Sequence, residues 1–214
     1  MGIMGVIATL GVMMGASWCA GINLYATVAV LGLMDRYVEG FTLPGTLTVL
    51  SSNWVIWPAL FLYVVEFFAD KIPLVDTAWD AVHTFIRVPA GAVLAAMAVG
   101  NVPLDMQLLA GLAGGTLAFG SHATKATVRA SSHATGASVV TSPTISMAED
   151  AFVVGTLALM LAHPVFTLLA TLASMAVAWF LMKWLLRVIG AIKRRFWPKQ
   201  TLGTTDDDEV VEEG

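Results

Sequence analysis

Charged side chains are scarce in this sequence and unevenly distributed. Only 12% of the 214 residues are Asp, Glu, Lys or Arg, whereas 57% are hydrophobic and the mean hydropathy is +0.80. A soluble globule needs more polar surface than this, so we predict a protein of the lipid bilayer. Six of the fifteen acidic residues lie in the last nine positions, 206–214, and the remaining chain is slightly basic.

Cysteine is nearly absent, and the N-terminal region has no positively charged side chain. The single cysteine, Cys19, excludes an intramolecular disulfide, and its small or apolar neighbours indicate a packed, inert thiol. No basic residue precedes Arg36, so the charged lead of a secretory signal is missing. We therefore expect residues 1–20 to form a retained membrane helix.

The sequence motifs of common enzymes are missing too. There is no phosphate-binding loop, no Gly-x-Ser-x-Gly elbow and no His-Glu-x-x-His helix. The four histidines and one cysteine are too scattered for a convincing metal site. We therefore predict no enzymatic activity, no cofactor, no bound metal and no nucleic acid partner.

Glycine, in contrast, is plentiful and recurs in a pattern. Two apolar stretches about a hundred residues apart have glycines at similar positions, GVMMGASWCAGIN from Gly11 and GLAGGTLAFGSH from Gly111. An apolar run ending at Ile72-Pro73 also has a counterpart ending at His163-Pro164. The pattern predicts an internal duplication, although small residues spaced four apart often only permit close helix packing.

Hydropathy divides the chain into eight segments. They are 3–20, 22–36, 53–71, 75–99, 104–119, 121–135, 145–162 and 165–190. Because a bilayer span needs roughly 20 residues, segments 22–36 and 121–135 are too short or too polar to cross. Each follows the last glycine of its repeat, Gly21 or Gly120, so we predict two short re-entrant or interfacial helices. Six crossings remain, and they put nearly all basic residues on one side.

This count predicts an all-α integral membrane protein with two repeats, 1–100 and 101–198. Three crossings per half is an odd number, so the repeats have inverted topology. Both termini are then cytoplasmic, in a bacterial inner membrane, and the connections 35–45 and 101–105 lie outside. Residues 199–214 are too polar and acidic to fold alone, and we expect a disordered cytoplasmic tail.

Three strings carry a resemblance to a known family. They are GASWCAGINLYATVAVLGL, EFFADKIPLVDTAWDAVHTFIRVPAGA and SPTISMAED. Over roughly residues 10–190 the chain resembles an uncharacterised bacterial family of multi-pass membrane proteins, known only as a domain of unknown function. The resemblance implies a membrane location and supplies no mechanism.

Acidic residues inside an apolar segment are the first functional candidates. Glu66 and Asp70 lie four residues apart near the end of the third segment, so they share a helix face. An ionisable group within a span costs several kcal/mol and usually faces a cavity or a partner. We interpret the pair as a cation or proton site, or alternatively as interfacial groups, with Asp70 paired to Lys71.

A polar stripe runs along the start of the fourth segment. Its members recur at three- and four-residue spacing: Asp76, Asp80, His83 and Arg87. Such a stripe lines a water-filled path, with His83 able to titrate near neutral pH, or it faces water on an interfacial helix.

The sixth segment carries the opposite charge. His122, Lys125 and Arg129 lie at helical spacing directly after Gly120, where a helix N-terminus favours an anion. This helix either holds a phosphate, carboxylate or inorganic anion, or rests on acidic lipid headgroups. Since Glu66 and Asp70 belong to the first half, we expect them to form one electrostatic unit with Lys125 and Arg129 across the repeat interface.

Two further groups accompany these charges. Asn23 and Tyr25 follow Gly21 and either coordinate a solute or satisfy a broken backbone. Glu149 and Asp150 are interpreted as helix-start residues, because Ser146-x-x-Glu149 has the spacing of a capping box.

The candidate residues together predict a membrane transporter or channel for a small ion or charged metabolite. One alternative is binding and translocation of lipid or polyprenyl-phosphate headgroups by Lys125, Arg129 and Arg87. Another is a non-transporting scaffold that forms homo-oligomers through glycine-rich helix faces. Membrane lipids and a small charged solute are the expected partners.

Overall fold

The computed structural model describes residues 2–72, 75–134 and 138–196. These residues form seven α-helices and one 3₁₀ helix: α1 (Ile3–Ile22), α2 (Leu24–Tyr37), the 3₁₀ helix (Leu47–Ser51), α3 (Asn53–Ala69), α4 (Val75–Val99), α5 (Leu104–Ala134), α6 (Ser138–Ala162) and α7 (Pro164–Phe196). No strand occurs in these ranges, so the predicted all-α class is confirmed for them. The predicted acidic tail, 199–214, lies outside the described residues.

Three helical stretches are long and apolar enough to cross a bilayer: Ile3–Ile22, Ala78–Val99 and Val165–Trp184. A fourth, α3, is apolar but shorter. Many large apolar side chains point outwards, and Trp54 and Phe85 are 90% and 82% exposed. Such a surface suits lipid, which needs no polar contacts from the side chains that face it. The helices therefore indicate association with a membrane.

Asn23 separates α1 from α2. Its backbone is extended, with φ −142° and ψ 100°, and its N–H donates to Cys19 O at the end of α1. Its Oδ1 accepts a hydrogen bond from the Ala26 N–H, 2.9 Å away, as an N-cap does. One residue thus ends a helix and starts the next, and the short helix predicted after Gly21 is present.

The counterpart break at Gly120 is absent, since α5 continues through this residue to Ala134. The prediction of a separate short helix at 121–135 is therefore wrong. A glycine within a helix costs about 1 kcal/mol relative to alanine, which is too little to end a helix whose backbone remains hydrogen-bonded. An anion site at a helix N-terminus after Gly120 is excluded for the same reason.

Small residues hold α1, α4 and α5 close together. A Cβ at Gly91 of α4 would overlap the Cβ of Ala118, and a Cβ at Gly114 of α5 would overlap that of Ala95. Ser17 of α1 reaches the same place, and its Oγ donates to Gly91 O over 3.0 Å. The glycine pattern therefore permits close packing within the chain.

The contacts between helices fix their directions. Ser17 lies against Gly114, and further along Lys125 Nζ donates to Ile22 O, so α1 and α5 are parallel. Asp70, at the end of α3, also lies beside Lys125 Nζ, so α3 runs towards the same end as α1. The pairs formed by Gly91 and Gly114 make α4 antiparallel to α5.

The remaining helices alternate in the same manner. α2 starts at the Lys125 end and finishes where Arg36 bonds Ser51 O, just before α3. α6 runs away from the Lys125 end, since Glu149 meets Arg129 whereas Met160 packs near Gly15. α7 returns, because Thr167 packs near Gly15 and Ala178 packs with Trp18.

Two expectations disagree with this arrangement. Because α1 is parallel to α5, the N-terminus lies at the same end as the connection 101–105, whereas the predicted topology has them on opposite sides of the membrane. The reason is that α2 returns along α3 and does not stay near one surface.

The glycine landmark and the proline landmark of the predicted duplication also conflict with each other. The glycines pair α1 with the parallel α5, while the prolines pair α3 with the antiparallel α6, and no single superposition matches both.

Candidate functional site

One end of the bundle holds a buried group of charged side chains, which we call the charged cluster. Its described members come from α3, α4, α5 and α6 and are Glu66, Asp70, Asp80, Arg87, Lys125, Arg129 and Glu149. The side chains of Glu66 and Arg87 are 0% exposed, and that of Glu149, the most exposed member, is 14% exposed. Charged residues are almost never this buried unless they are paired.

Lys125 lies at the centre of the charged cluster. Its Nζ is within 4 Å of four carboxylates: Asp70 at 3.2 Å, Glu149 at 3.3 Å, Asp80 at 3.6 Å and Glu66 at 3.8 Å. The same ammonium donates to Ile22 O, 3.1 Å away. The break at Asn23 leaves the last carbonyls of α1 without helical partners, and Lys125 satisfies one of them.

Two arginines complete the ion pairs. Arg87 Nη2 donates to Glu66 Oε1, and its Nη1 lies 3.0 Å from Asp80 Oδ1. Arg129 Nη2 lies 2.9 Å from Asp70 Oδ2 and 2.8 Å from Glu149 Oε2. The predicted contact between acids of the first half and bases of the second is therefore present. The alternative in which Asp70 is a solvated partner of Lys71 is wrong, because Asp70 is 2% exposed.

The polar stripe of α4 is also buried. Asp80, His83 and Arg87 are 6%, 4% and 0% exposed, so the interpretation of a stripe facing water is wrong for these three residues. The backbone of Asp76 lies in α4, but its side chain is outside the described part of the structure.

His122 links α5 to the polar stripe of α4, and its hydrogen-bond partners show which of its ring nitrogens carries a proton. Arg87 Nη1 lies 3.0 Å from Nδ1, and because a guanidinium only donates, Nδ1 must accept. The ring is therefore neutral and carries its proton on Nε2, which donates to Thr84 Oγ1 at 2.7 Å. The Thr84 hydroxyl in turn donates a hydrogen bond to the backbone carbonyl Asp80 O, 3.0 Å away.

Tyr25 and His83 form a second polar contact, between α2 and α4. His83 Nδ1 lies 2.7 Å from Trp79 O, a carbonyl that only accepts, so Nδ1 carries a proton. In the neutral ring, Nε2 then accepts from the Tyr25 hydroxyl at 3.0 Å. Trp79 stacks on the imidazole with ring centroids 4.3 Å apart.

Asn23 connects the helix break to α6, because its Nδ2 donates to Asp150 Oδ1 over 3.0 Å. Lys71, just after α3, donates to Phe67 O over 2.9 Å. Partial burial lowers the pKa of Lys71, while the charges of Asp150 and Asp70 act in the opposite direction. Asp150 is thus a neighbour of the charged cluster, beside the end of α1.

The interpretation of Glu149 and Asp150 as helix-start residues is wrong. α6 begins at Ser138, about two turns before Ser146, so the capping-box spacing falls inside the helix. The helix also continues through Pro143, so no helix start lies next to Ser146. The available signal was the pair of acids itself, which is costly within a membrane helix.

The two glycines of the predicted site have different surroundings. A Cβ at Gly21 would overlap Ala118 O and Ser121 Oγ, so this residue packs directly on α5. At Gly120 a Cβ would meet only Trp18 Cζ3, 3.7 Å away. Close packing on α5 therefore explains Gly21, whereas Gly120 has room for a side chain.

A cavity of about 310 Å³ opens between α1, α5 and α6 beside the charged cluster. Its lining is mostly apolar and includes Trp18, Ile22 and Phe152, and Lys125 and Glu149 form its charged end. A site with apolar walls and few polar groups suits an amphiphile.

Comparison with known proteins places the chain in a family without assigning an activity. No curated protein and no solved structure is detectably similar to it. In the described ranges, no group of three or more His, Cys, Asp or Glu side chains could hold a metal ion. The family described as "Domain of unknown function (DUF4126)" matches residues 10–184, so the chain belongs to this family.

Proposed function

We propose that this protein is a membrane transporter or channel that moves a small ion or charged metabolite, and that the charged cluster is its site. The observation that carries the proposal is an imbalance of charge. Four described carboxylates surround Lys125, and among the described residues the bases that form ion pairs with them are three: Lys125, Arg87 and Arg129. A net charge in a low-dielectric interior is costly, so a bound cation or proton would stabilise the cluster.

The depth of the charged cluster supports the same proposal. Glu66 lies about 20 Å along α3 from Asn53, because a helix rises about 1.5 Å per residue. The hydrocarbon core of a bilayer is about 30 Å thick, so Glu66 would lie within it if α3 starts at one surface. Ionisable groups at such depth usually belong to a pathway for ions or protons.

For the orientation, we propose that the cluster end faces the cytoplasm of a bacterial inner membrane. Lys71, Lys125 and Arg129 lie at this end, and the opposite end carries Arg36, so the positive-inside rule favours this choice. The N-terminus would then be external. Gly2→Cys and Lys71→Cys in a Cys19→Ala background test this, since an impermeant reagent should label only the first in intact cells. Labelling of the second alone would reverse the orientation.

We propose a revised repeat as well. α2, α3 and α4 are three consecutive antiparallel helices, and α5, α6 and α7 are three more that start in the opposite direction. An inverted-topology pair of these triplets, with α1 outside it, agrees with the helix directions. An experimental structure in which α2–α4 cannot be superposed on α5–α7 by a two-fold axis in the membrane plane would refute it.

Lipid headgroup translocation is the second candidate, and the cavity beside Lys125 favours it. Its apolar walls would accept an acyl or prenyl chain, and its charged end would meet a headgroup. The weakness is electrostatic, because Lys125, Arg129 and Arg87 already contact carboxylates and have little positive charge left for a phosphate. A scaffold that oligomerises through glycine faces has less support, since Gly21 and Gly91 pack within the chain.

Proteoliposomes separate these functions. The purified protein is tested for flux of Na⁺, protons and a panel of labelled charged solutes, and in parallel for translocation of fluorescent phospholipids. We expect solute or ion flux that Glu66→Gln strongly reduces and that Glu39→Gln, an exposed carboxylate at the other end, leaves unchanged. Lipid translocation without flux would favour the second candidate, and the absence of both activities would favour a scaffold.

A further inference from the structure

Several buried oxygen atoms near the charged cluster make no hydrogen bond. They are Glu66 Oε2, Asp70 Oδ1, Asp150 Oδ2, Ser142 Oγ and Ser146 Oγ. Buried polar atoms in native proteins nearly always have a partner, so a group of exceptions indicates a missing ligand or water. The five atoms come from α3, its C-terminal end and α6, which meet at one end of the bundle.

Three of these oxygens follow one face of α6. Ser142, Ser146 and Asp150 are spaced four residues apart, so each lies one turn from the next. Ser142 and Ser146 are 0% and 1% exposed, which keeps their hydroxyls away from bulk water. Further along the helix Val153, Leu157 and Met160 are buried and apolar, and the buried hydroxyl of Thr156 has Cys19 as a partner, so the unpartnered oxygens are local to the first half of the helix.

Asp150 joins this face to the break between α1 and α2. Its Oδ1 accepts from Asn23, while its Oδ2 stays without a hydrogen bond. Asp70 likewise uses only Oδ2, which bonds Lys125 and Arg129, and leaves Oδ1 without a partner. The charges of Asp70, Lys71 and Lys125 act on Asp150, and the Tyr63 hydroxyl is a hydrogen-bonding neighbour of its carboxylate.

We propose that Asp70, Asp150 and Ser146 contribute to a binding site for a small monovalent cation, with Na⁺ as its ligand; Ser142, about two turns from Asp150, lies too far along α6 to reach the same ion. Hard cations prefer carboxylate and hydroxyl oxygens, and the unpartnered atoms are of these two kinds. One cation satisfies several lone pairs at once, whereas a proton on Asp150 donates a single hydrogen bond. A cation also offsets the excess of carboxylates. The proposal rests on the proposed function in naming the coupling ion, but binding is measurable without transport.

The test uses full-length protein in detergent, first in choline buffer free of Na⁺. Na⁺ should raise Tm by on the order of 5 °C at a concentration about a hundredfold above Kd, and choline should not. Binding of ²²Na⁺, measured by scintillation proximity, should saturate and be displaced by excess Na⁺. Both effects should disappear in Asp150→Asn.

Ser146→Ala provides the sharper variant, because it removes a hydroxyl that makes no hydrogen bond in the structure. Its Tm without Na⁺ should equal that of the wild type, while the rise with Na⁺ is lost. It keeps the test valid if Asp150→Asn does not fold. Ser174→Ala is the matched control, since Ser174 Oγ bonds Thr171 O on α7 and the response to Na⁺ should persist.

Three results would overturn the proposal. One is a Tm that rises with decreasing pH and does not respond to Na⁺, which would identify a proton as the occupant. The second is a Na⁺ response that survives in Ser146→Ala, which would place the cation elsewhere. The third is no response to either ion. If Na⁺ binds as expected but liposomes show no flux, the site stands and the proposed transport function fails.

Discussion

The helix that carries Gly21 ends at Ile22, whereas the helix that carries Gly120 continues to Ala134. The next polar residues explain the difference. Asn23 accepts from the Ala26 N–H and so starts a new helix, while Ser121 Oγ donates to Trp18 O and leaves the backbone of α5 in its helix. The side chain that follows a glycine, and its ability to cap, decides whether the helix breaks.

The broken and the continuous segment also have complementary roles. The break exposes Ile22 O at the end of α1, and the uninterrupted α5 carries Lys125 to this carbonyl. If α5 were also broken after Gly120, Lys125 and Arg129 would follow a different direction from the rest of the helix. The asymmetry between the two segments therefore builds the charged cluster.

The largest effect is expected from removing the bases that the continuous helix provides. Lys125→Met with Arg129→Met leaves Asp70 and Glu66 buried without these counter-charges, and we expect a loss of about 3–5 kcal/mol in the free energy of unfolding. Adding Glu66→Gln and Asp70→Asn should restore part of this loss. Steric trapping in bicelles measures each variant.

A lysine outside the charged cluster provides the control for this cycle. Lys183 lies on the exposed side of α7, over the ring of Trp179, and Lys183→Met should change the stability little. Strict additivity of the two double substitutions would show that the acids and bases do not stabilise each other.

Next in size is the contrast between the two glycines. Gly21→Ala places a methyl group against Ala118 O and Ser121 Oγ, and because backbone must move, we expect a loss of about 2–3 kcal/mol. Gly120→Ala meets only Trp18 at 3.7 Å and improves helix propensity, so we expect a gain of up to about 1 kcal/mol. Thermal unfolding in detergent compares the two, and equal effects would contradict the packing argument.

The success of the sequence predictions follows the same division between local and non-local effects. The all-α class, α4 at 75–99 and the short helix after Gly21 follow from hydropathy and from local chemistry at Asn23. The contact of Glu66 and Asp70 with Lys125 followed from the cost of unpaired charge in a membrane. These features depend on residues close in sequence or on strong constraints.

The failures concern features that depend on packing. Whether the helix breaks after Gly120 depends on Ser121, whose hydroxyl could cap a new helix but instead donates to Trp18 O of α1, a contact that a single segment does not reveal. The direction of α2, and with it the location of the N-terminus, depends on its pairing with α3. Glu149 was missed as a cluster member because Ser146-x-x-Glu149 has the spacing of a capping box, although α6 already begins at Ser138.

The smallest effect is expected at the break itself. Asn23→Ala removes the oxygen that accepts from the Ala26 N–H, and loss of an N-cap typically costs about 1 kcal/mol. It also removes the donor to Asp150 Oδ1. Asn23→Ser retains a capping oxygen but is too short to reach Asp150 in the same way, so it should recover the cap alone. A Na⁺ titration of Tm then separates the two losses, because a weaker response in both variants would assign Asn23 to the positioning of Asp150. If Asn23→Ala leaves both the stability and the Na⁺ response unchanged, the break after Gly21 is held by packing, and the contrast with Gly120 does not depend on capping.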